Sequence, residues 1–285
     1  MSAIAARINL SQVGAGGDIM ADDNEVAGAV RRAPGMPKVN RIELRDLAEV
    51  LRKGLSDFAS APLFGLFFGG VYALGGIVIA LSLTVWDIPW MIYPVAIGFP
   101  LIGPFVAVGL YEVSRRLQAG QPLNWGEVLG VIWLQRQREL AWMAFVMLFV
   151  FWVWMYQVRL LVAIILARSS FSTLDRFLDV IFTTTQGWIF LGVGHVVGAV
   201  LAMVLFSITV ISIPLLLDRE ADFVTAMITS VKSVSTSPIP MLGWGLFVTL
   251  AVIVSSVPVF LGLVVTLPVL GHATWHLYKK AVAPA

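Results

Sequence analysis

Residues 63–84 read LFGLFFGGVYALGGIVIALSLT. The run carries no charge and is continuous rather than alternating. At about 1.5 Å per helical residue it is long enough to cross a hydrocarbon core of about 30 Å. In lipid every backbone N–H and C=O must be satisfied within the protein, which leaves helices or a closed barrel, and an unbroken apolar run selects the helix. Comparable runs recur as far as Tyr278, and hydrophobic residues make up 59% of the 285-residue chain against 13% charged. The fold class is therefore all-α, a polytopic bundle of membrane helices.

Working outward, six spans are expected, near 63–84, 91–113, 140–166, 188–216, 241–257 and 258–278. The last two are read as a hairpin broken at Ser255-Ser256-Val257-Pro258, and charge favours that over one long span. With six spans, 16 of the 19 Lys and Arg fall on one side. They run from Arg7 to Lys53, then Arg115, Arg116, Arg136, Arg138, Arg219, Lys232, Lys279 and Lys280. Arg168 and Arg176 fall on the other side, with Arg159 near the outer end of the third span. The positive-inside rule makes the charged side cytoplasmic, so both termini are expected there. Residues 1–40 lack an apolar stretch of signal-peptide length and are expected as a disordered cytoplasmic tail, leaving 41–285 as the membrane domain.

An internal repeat organises that domain. Asp46-Leu47-Ala48 through Pro62 and Leu66 is matched by Asp222-Phe223-Val224 through Pro238 and Leu242. Further on, Pro104 to Tyr111 followed by Arg115-Arg116 is matched by Pro268 to Trp275 followed by Lys279-Lys280. With a weaker middle copy from Trp125, the expectation is three hairpins, each preceded by an amphipathic helix at the cytoplasmic interface. In the first such helix Leu44, Leu47, Val50, Leu51, Leu55 and Phe58 recur at helical spacing, opposite Arg45, Glu49, Arg52, Lys53 and Asp57. Trp125, Val128, Leu129 and Ile132 mark the second, and Val224, Met227, Ile228, Val231 and Val234 the third. Basic side chains beside such faces reach anionic headgroups, so the bilayer is the first partner expected. A short outer interfacial helix is expected at 171–182. Tryptophans and tyrosines such as Trp86, Trp142 and Trp188 fall near the span ends as aromatic belts.

The chemistry on offer is sparse. With no cysteine, disulfides, thiolate metal sites and iron–sulfur clusters are excluded. No phosphate loop, dinucleotide fingerprint, HExxH or Gly-x-Ser-x-Gly is present, so no catalytic residue is assigned and no metal site is expected. The formal charge of +2 gives no argument for nucleic acid. His195, His272 and His276 are the only candidates for haem ligation. His272 and His276 share one helix face, but His195 sits at a depth about 9 Å different from His272, so no cofactor is expected. Glu112, at the cytoplasmic end of the second span, is the carboxylate of most interest. It is placed to pair with Arg115 or Arg116, or to reach His272 or His276 across the bundle as a polar, proton-handling site. Arg159 is expected to snorkel outward, and Gly65-x-x-x-Gly69 and Gly194-x-x-x-Gly198 to bring helices close within one molecule.

The segments APLFGLFFGGVYALGG (61–76), GFPLIGPFVAVGLYEVSRRL (98–117), RELAWMAFVMLF (138–149), LFSITVISIPLLLDREADFVTAMITSV (205–231) and LPVLGHATWHLY (267–278) carry a resemblance. Over roughly residues 38–280 the chain resembles a domain-of-unknown-function family of predicted bacterial integral membrane proteins. Some members bear a cytochrome c oxidase label. The resemblance implies a multi-pass protein of the bacterial inner membrane and assigns no catalytic residue. The function expected first is a non-catalytic structural, accessory or assembly component of a membrane complex, with respiratory subunits as candidate partners. The alternatives are a small transporter or proton-linked channel using Glu112 and His272/His276, and a haem-binding redox subunit.

Overall fold

The computed structural model describes residues 36–86, 92–136, 139–167 and 174–284, with the side chains of 83, 92–101, 135, 136, 174 and 175 left out. Residues 1–35 of the expected tail, and the first part of the expected outer helix at 171–182, fall outside the described residues. The helices in order are α1 (Leu44–Ser60), α2 (Pro62–Thr84), α3 (Ile92–Gln118), α4 (Trp125–Arg136), α5 (Glu139–Ile165) and α6 (Leu174–Thr183). After them come α7 (Thr185–Thr209), α8 (Ser212–Asp218), α9 (Phe223–Thr236), α10 (Pro238–Ser256) and α11 (Leu263–Ala281).

The molecule is an all-helical membrane protein. Among the described residues four helical stretches are long and apolar enough to cross a bilayer: Pro62–Ser82, Glu139–Ile165, Thr185–Asp218 and Pro238–Ser256. The spans expected at 91–113 and 258–278 are also helical, as α3 and α11, but neither is among those four. In α11 the reason is compositional, because His272, His276, Lys279 and Lys280 lower its apolar content. The two histidines are buried in protein, while Lys279 is exposed.

The last helix of the sequence lies at the centre of the fold. α11 packs against α1, α2 and α3, and Leu263, Leu270, Ala273, Trp275, Leu277 and Tyr278 on it are buried. Small residues allow the approach. A Cβ built on Gly54 of α1 would stand 2.6 Å from both the Ala273 nitrogen and the Val269 oxygen. On Gly69 of α2 it would stand 2.5 Å from the Val264 oxygen. The Gly65/Gly69 pair therefore serves packing against α11. At Gly194 and Gly198 a Cβ would stand 4.0 Å from Leu161 and 3.9 Å from Trp154, ordinary contacts that do not require glycine, so the close approach expected there is not seen.

That approach sets which face of each interfacial helix turns inward, and here the structure corrects the sequence reading. In α1 the inward stripe is Asp46, Val50, Gly54 and Asp57, while Leu44 and Leu55 are exposed. In α9 the buried stripe is Ala226, Thr229, Ser230, Ser233 and Val234, while Val224, Ile228 and Val231 are exposed. Both helices turn small and polar residues inward and part of their apolar face outward, while Val50, Val234, Leu47, Leu51 and Met227 of that face stay buried or packed on the core. The second interfacial helix departs further. α4 exposes Trp125, Leu129, Trp133 and Leu134 and buries Val128, so it is apolar on most sides rather than amphipathic.

Helix ends follow local chemistry. Asp222 caps α9 by accepting from the Thr225 N–H at 2.8 Å, and Thr184 caps α7 through the Gly187 N–H at 3.0 Å. Pro62 and Pro238 open α2 and α10, where a missing N–H costs nothing. The expected 188–216 span is broken at Val210–Ile211, because Pro214 offers no N–H to the Val210 carbonyl, and Ser230 Oγ takes the Ile211 N–H at 3.1 Å. The break expected at Ser255–Pro258 falls at 257–262, where Val259 (φ 50°) and Phe260 (φ 63°) are left-handed. Near the two ends, Asn40 N–H donates to Ala281 O at 2.8 Å and Ala283 N–H to Lys38 O at 2.9 Å.

Candidate functional site

Three helices meet at a buried polar cluster where α1 and α3 cross the C-terminal half of α11. Its hydrogen bonds have a fixed direction. Trp275 Nε1–H can only donate, and it donates to Gln118 Oε1 at 2.9 Å. The Gln118 amide nitrogen therefore faces His276 Nδ1, at 3.0 Å, and donates to it. With Nδ1 accepting, the His276 proton sits on Nε2 and is donated to Asp57 Oδ2 at 2.8 Å. On the other side of the cluster Ser114 Oγ and His272 Nδ1 are 2.8 Å apart. His272 Nε2 is buried without a partner, the one such side-chain atom among the described residues.

Asp57 is the charge of this cluster. Its side chain is 14% exposed and accepts the His276 Nε2–H. Burial pushes its carboxyl up, but the hydrogen bonds from His276 and Ser114 and the nearby imidazoles more than offset this and hold it below the usual carboxylate value.

Two further charge clusters surround it. The Glu112 carboxylate is fully buried and lies 2.7 Å from both Arg115 Nε and Arg116 Nε, and Arg116 also pairs with Glu127 of α4. Lys280 bridges to Asp46 at 2.9 Å and Glu49 at 2.6 Å. Lys280 and then Lys53 hold Glu49 down at about 2 through hydrogen bonds, and Asp46 is lowered by the same Lys280. Lys280 is raised in turn by Glu49 and Asp46. Tyr278 donates to Asp218 at 2.6 Å.

Of the residues singled out in the sequence, the structure brings His272 and His276 into one cluster, but their carboxylate is Asp57. Glu112 reaches neither histidine and is committed to Arg115 and Arg116. His195 is exposed and bonds the Leu191 carbonyl of its own helix at 2.7 Å, rather than a neighbouring helix. His276 is buried. Arg159 is exposed, with no ion pair to a described residue. Among the described residues no group of three or more His, Asp or Glu is arranged to hold a metal ion. Ser114 and Gln118 went unnoticed in the sequence, and Asp57 was read only as an outward charge of the first interfacial helix. Gly54 was the available signal, because a lone glycine inside an amphipathic helix costs about 1 kcal/mol against alanine and marks close backbone approach.

The class that fold and composition define is an integral membrane protein built from apolar helices around a polar junction. More particularly, residues 92–218 match the model of a family described as predicted integral membrane protein (DUF2189). This stretch is narrower than the resemblance over 38–280. It takes in Glu112, Ser114, Arg115, Arg116 and Gln118, while Asp57, His272 and His276 lie outside it. No curated protein and no solved structure matches the chain.

Proposed function

We propose that this is a non-catalytic structural, accessory or assembly component of a membrane complex. The observation that carries the reading is the outer face of α5. Phe145, Phe149, Trp152 and Tyr156 line an apolar groove there, with Gln157 at its end, and a polar amide on an otherwise apolar face suits a partner helix better than lipid. Arg159 lies about 30 Å along α5 from Glu139, at the far edge of the hydrocarbon, where it anchors the helix by snorkelling.

The finer topology belongs to the same proposal: six spans in three hairpins, each preceded by an interface helix, in the bacterial inner membrane with both termini cytoplasmic. Segments 38–40 and 281–283 lie side by side, which favours an even number of crossings. The outward apolar faces of α1 and α9 suit immersion in the headgroup layer, where flanking Lys and Arg meet anionic lipid. The internal repeat is supported by Ala61 (φ −136°, ψ 54°) and Ser237 (φ −137°, ψ 64°). These matched positions each end one helix and precede a proline that opens the next.

The test is a mild-detergent purification of the tagged chain from its native membrane, with quantitative mass spectrometry of what accompanies it. Stoichiometric membrane subunits, respiratory ones being the first to look for, support the reading, and loss of partners in Trp152→Ala and Gln157→Leu places them on α5. Recovery of the protein alone rejects it. A proton-linked transporter is the second reading, favoured by the two buried histidines.

A further inference from the structure

The Asp57 cluster is short of positive charge in a way the Glu112 cluster is not. Two guanidinium groups answer Glu112 at 2.7 Å each. Asp57 is answered by one imidazole at 2.8 Å, and the Trp275–Gln118–His276 chain leaves that imidazole neutral. A largely buried carboxylate without a cation is costly, and charging the neighbouring imidazole relieves it.

We propose that this cluster is a proton-binding site open to the cytoplasmic side, in which His276 takes up a proton at Nδ1 and Asp57 holds it as an ion pair. Gln118 is exposed and stands between water and His276 Nδ1, so the proton arrives there. Nδ1 gains an N–H, and the Gln118 amide turns so that its oxygen accepts from it. Trp275 then loses its acceptor, because the amide nitrogen has no lone pair to offer. His272 is the less favourable acceptor, since a proton on its fully buried Nε2 would find no partner. Proton binding is thereby coupled to Trp275, which is fully buried and stacks on Tyr111, and to the α1–α11 contact that Asp57 closes.

The groups facing α11 from each neighbour leave His276 as the responsive one. From α1 come Asp57, and Asp46 and Glu49, both committed to Lys280. α3 presents Tyr111 and Glu112, the latter neutralised by Arg115 and Arg116. α2 carries Tyr72, α8 presents Asp218 to Tyr278 and Lys279, and α10 has no titratable side chain. The inference goes beyond the accessory reading and holds with or without a partner subunit.

The test uses the full chain purified in detergent with 15N-labelled histidine. There are three histidines in all, and His195→Asn assigns the exposed one. At alkaline pH the expected spectrum shows His276 protonated on Nε2 and bare on Nδ1. Acidification is expected to give an imidazolium at His276, with the Trp275 indole N–H shifting at the same midpoint. Asp57→Asn is expected to weaken proton binding about tenfold or more. A neutral His276 carrying its proton on Nδ1, an indole signal indifferent to the titration, or an unchanged midpoint in Asp57→Asn overturns the proposal. Should Asp57→Asn not fold, the first two wild-type readings decide it.

Discussion

Arg116 and Glu112 lock the end of α3 to α4. The Arg116 Nε stands 2.7 Å from Glu112 Oε1, while its Nη1 reaches the Pro122 carbonyl at 3.2 Å and the Glu127 carboxylate. One guanidinium thus joins a fully buried carboxylate to a half-exposed one. Losing Arg116 leaves the buried Glu112 with Arg115 alone, so Arg116→Met should cost about 1–3 kcal/mol. Glu127→Gln, which removes the exposed partner, should cost less than about 1 kcal/mol. Thermal unfolding in detergent compares the two, and equal losses would show that burial is not what gives the first contact its weight.

Gly54 and Gly70 offer a matched pair of alanine substitutions. At Gly54 the new methyl would meet α11 backbone, which cannot move aside as a side chain can, whereas at Gly70 nothing lies within 4 Å. Gly54→Ala should destabilise by about 1–3 kcal/mol, and Gly70→Ala should be neutral or better. Proteolysis at the α1–α2 junction is the readout, and an intact junction in Gly54→Ala would contradict the close crossing.

The Lys280 clamp predicts a pH dependence with a definite sign. Glu49 is depressed from 4.5 to about 2, so its contribution is present above 4.5 and is lost as pH falls toward 2. Lys280 is raised above its ordinary value, so its contribution is present below that value and lost as pH rises through the folded one. The clamp is therefore complete at neutral pH and fails first in acid. Lys280→Met should flatten the acid limb of unfolding temperature against pH, and an unaltered limb would mean that these carboxylates do not set it.

Having no cysteine, the wild-type chain is already the background for single-cysteine labelling. Lys38→Cys and Ala283→Cys should label from the same side of sealed membranes, because their segments are hydrogen-bonded together. Val257→Cys, at the α10–α11 turn, should label from the opposite side. Labelling of all three from one side would rule out the hairpin.

Val259 is exposed and left-handed, a conformation that costs a β-branched residue about 1–2 kcal/mol. Val259→Gly should therefore raise the unfolding temperature, and a lower one would show that this turn is held by its side chain.

Sequence alone determined the solvent and the kind of element. Unbroken runs such as 63–84 have one way to satisfy their backbone in lipid, and Pro62, Asp222 and Pro238 announce helix starts by local rules. The interfacial helices at 44–60 and 223–236 were legible for the same reason. Which way those helices face was not. Periodicity put Asp57 among the outward charges, but contact with α11 is decided by where two backbones can approach most closely, and Gly54 with Ala273 makes that place the polar stripe. Glu112 was legible as a pairing carboxylate because its arginines lie one turn away. Asp57, Gln118 and His276 come from three helices far apart in the chain, and no local spacing encodes their meeting. The tertiary structure decided it, because only packing chooses which distant polar groups must satisfy one another once water has been excluded.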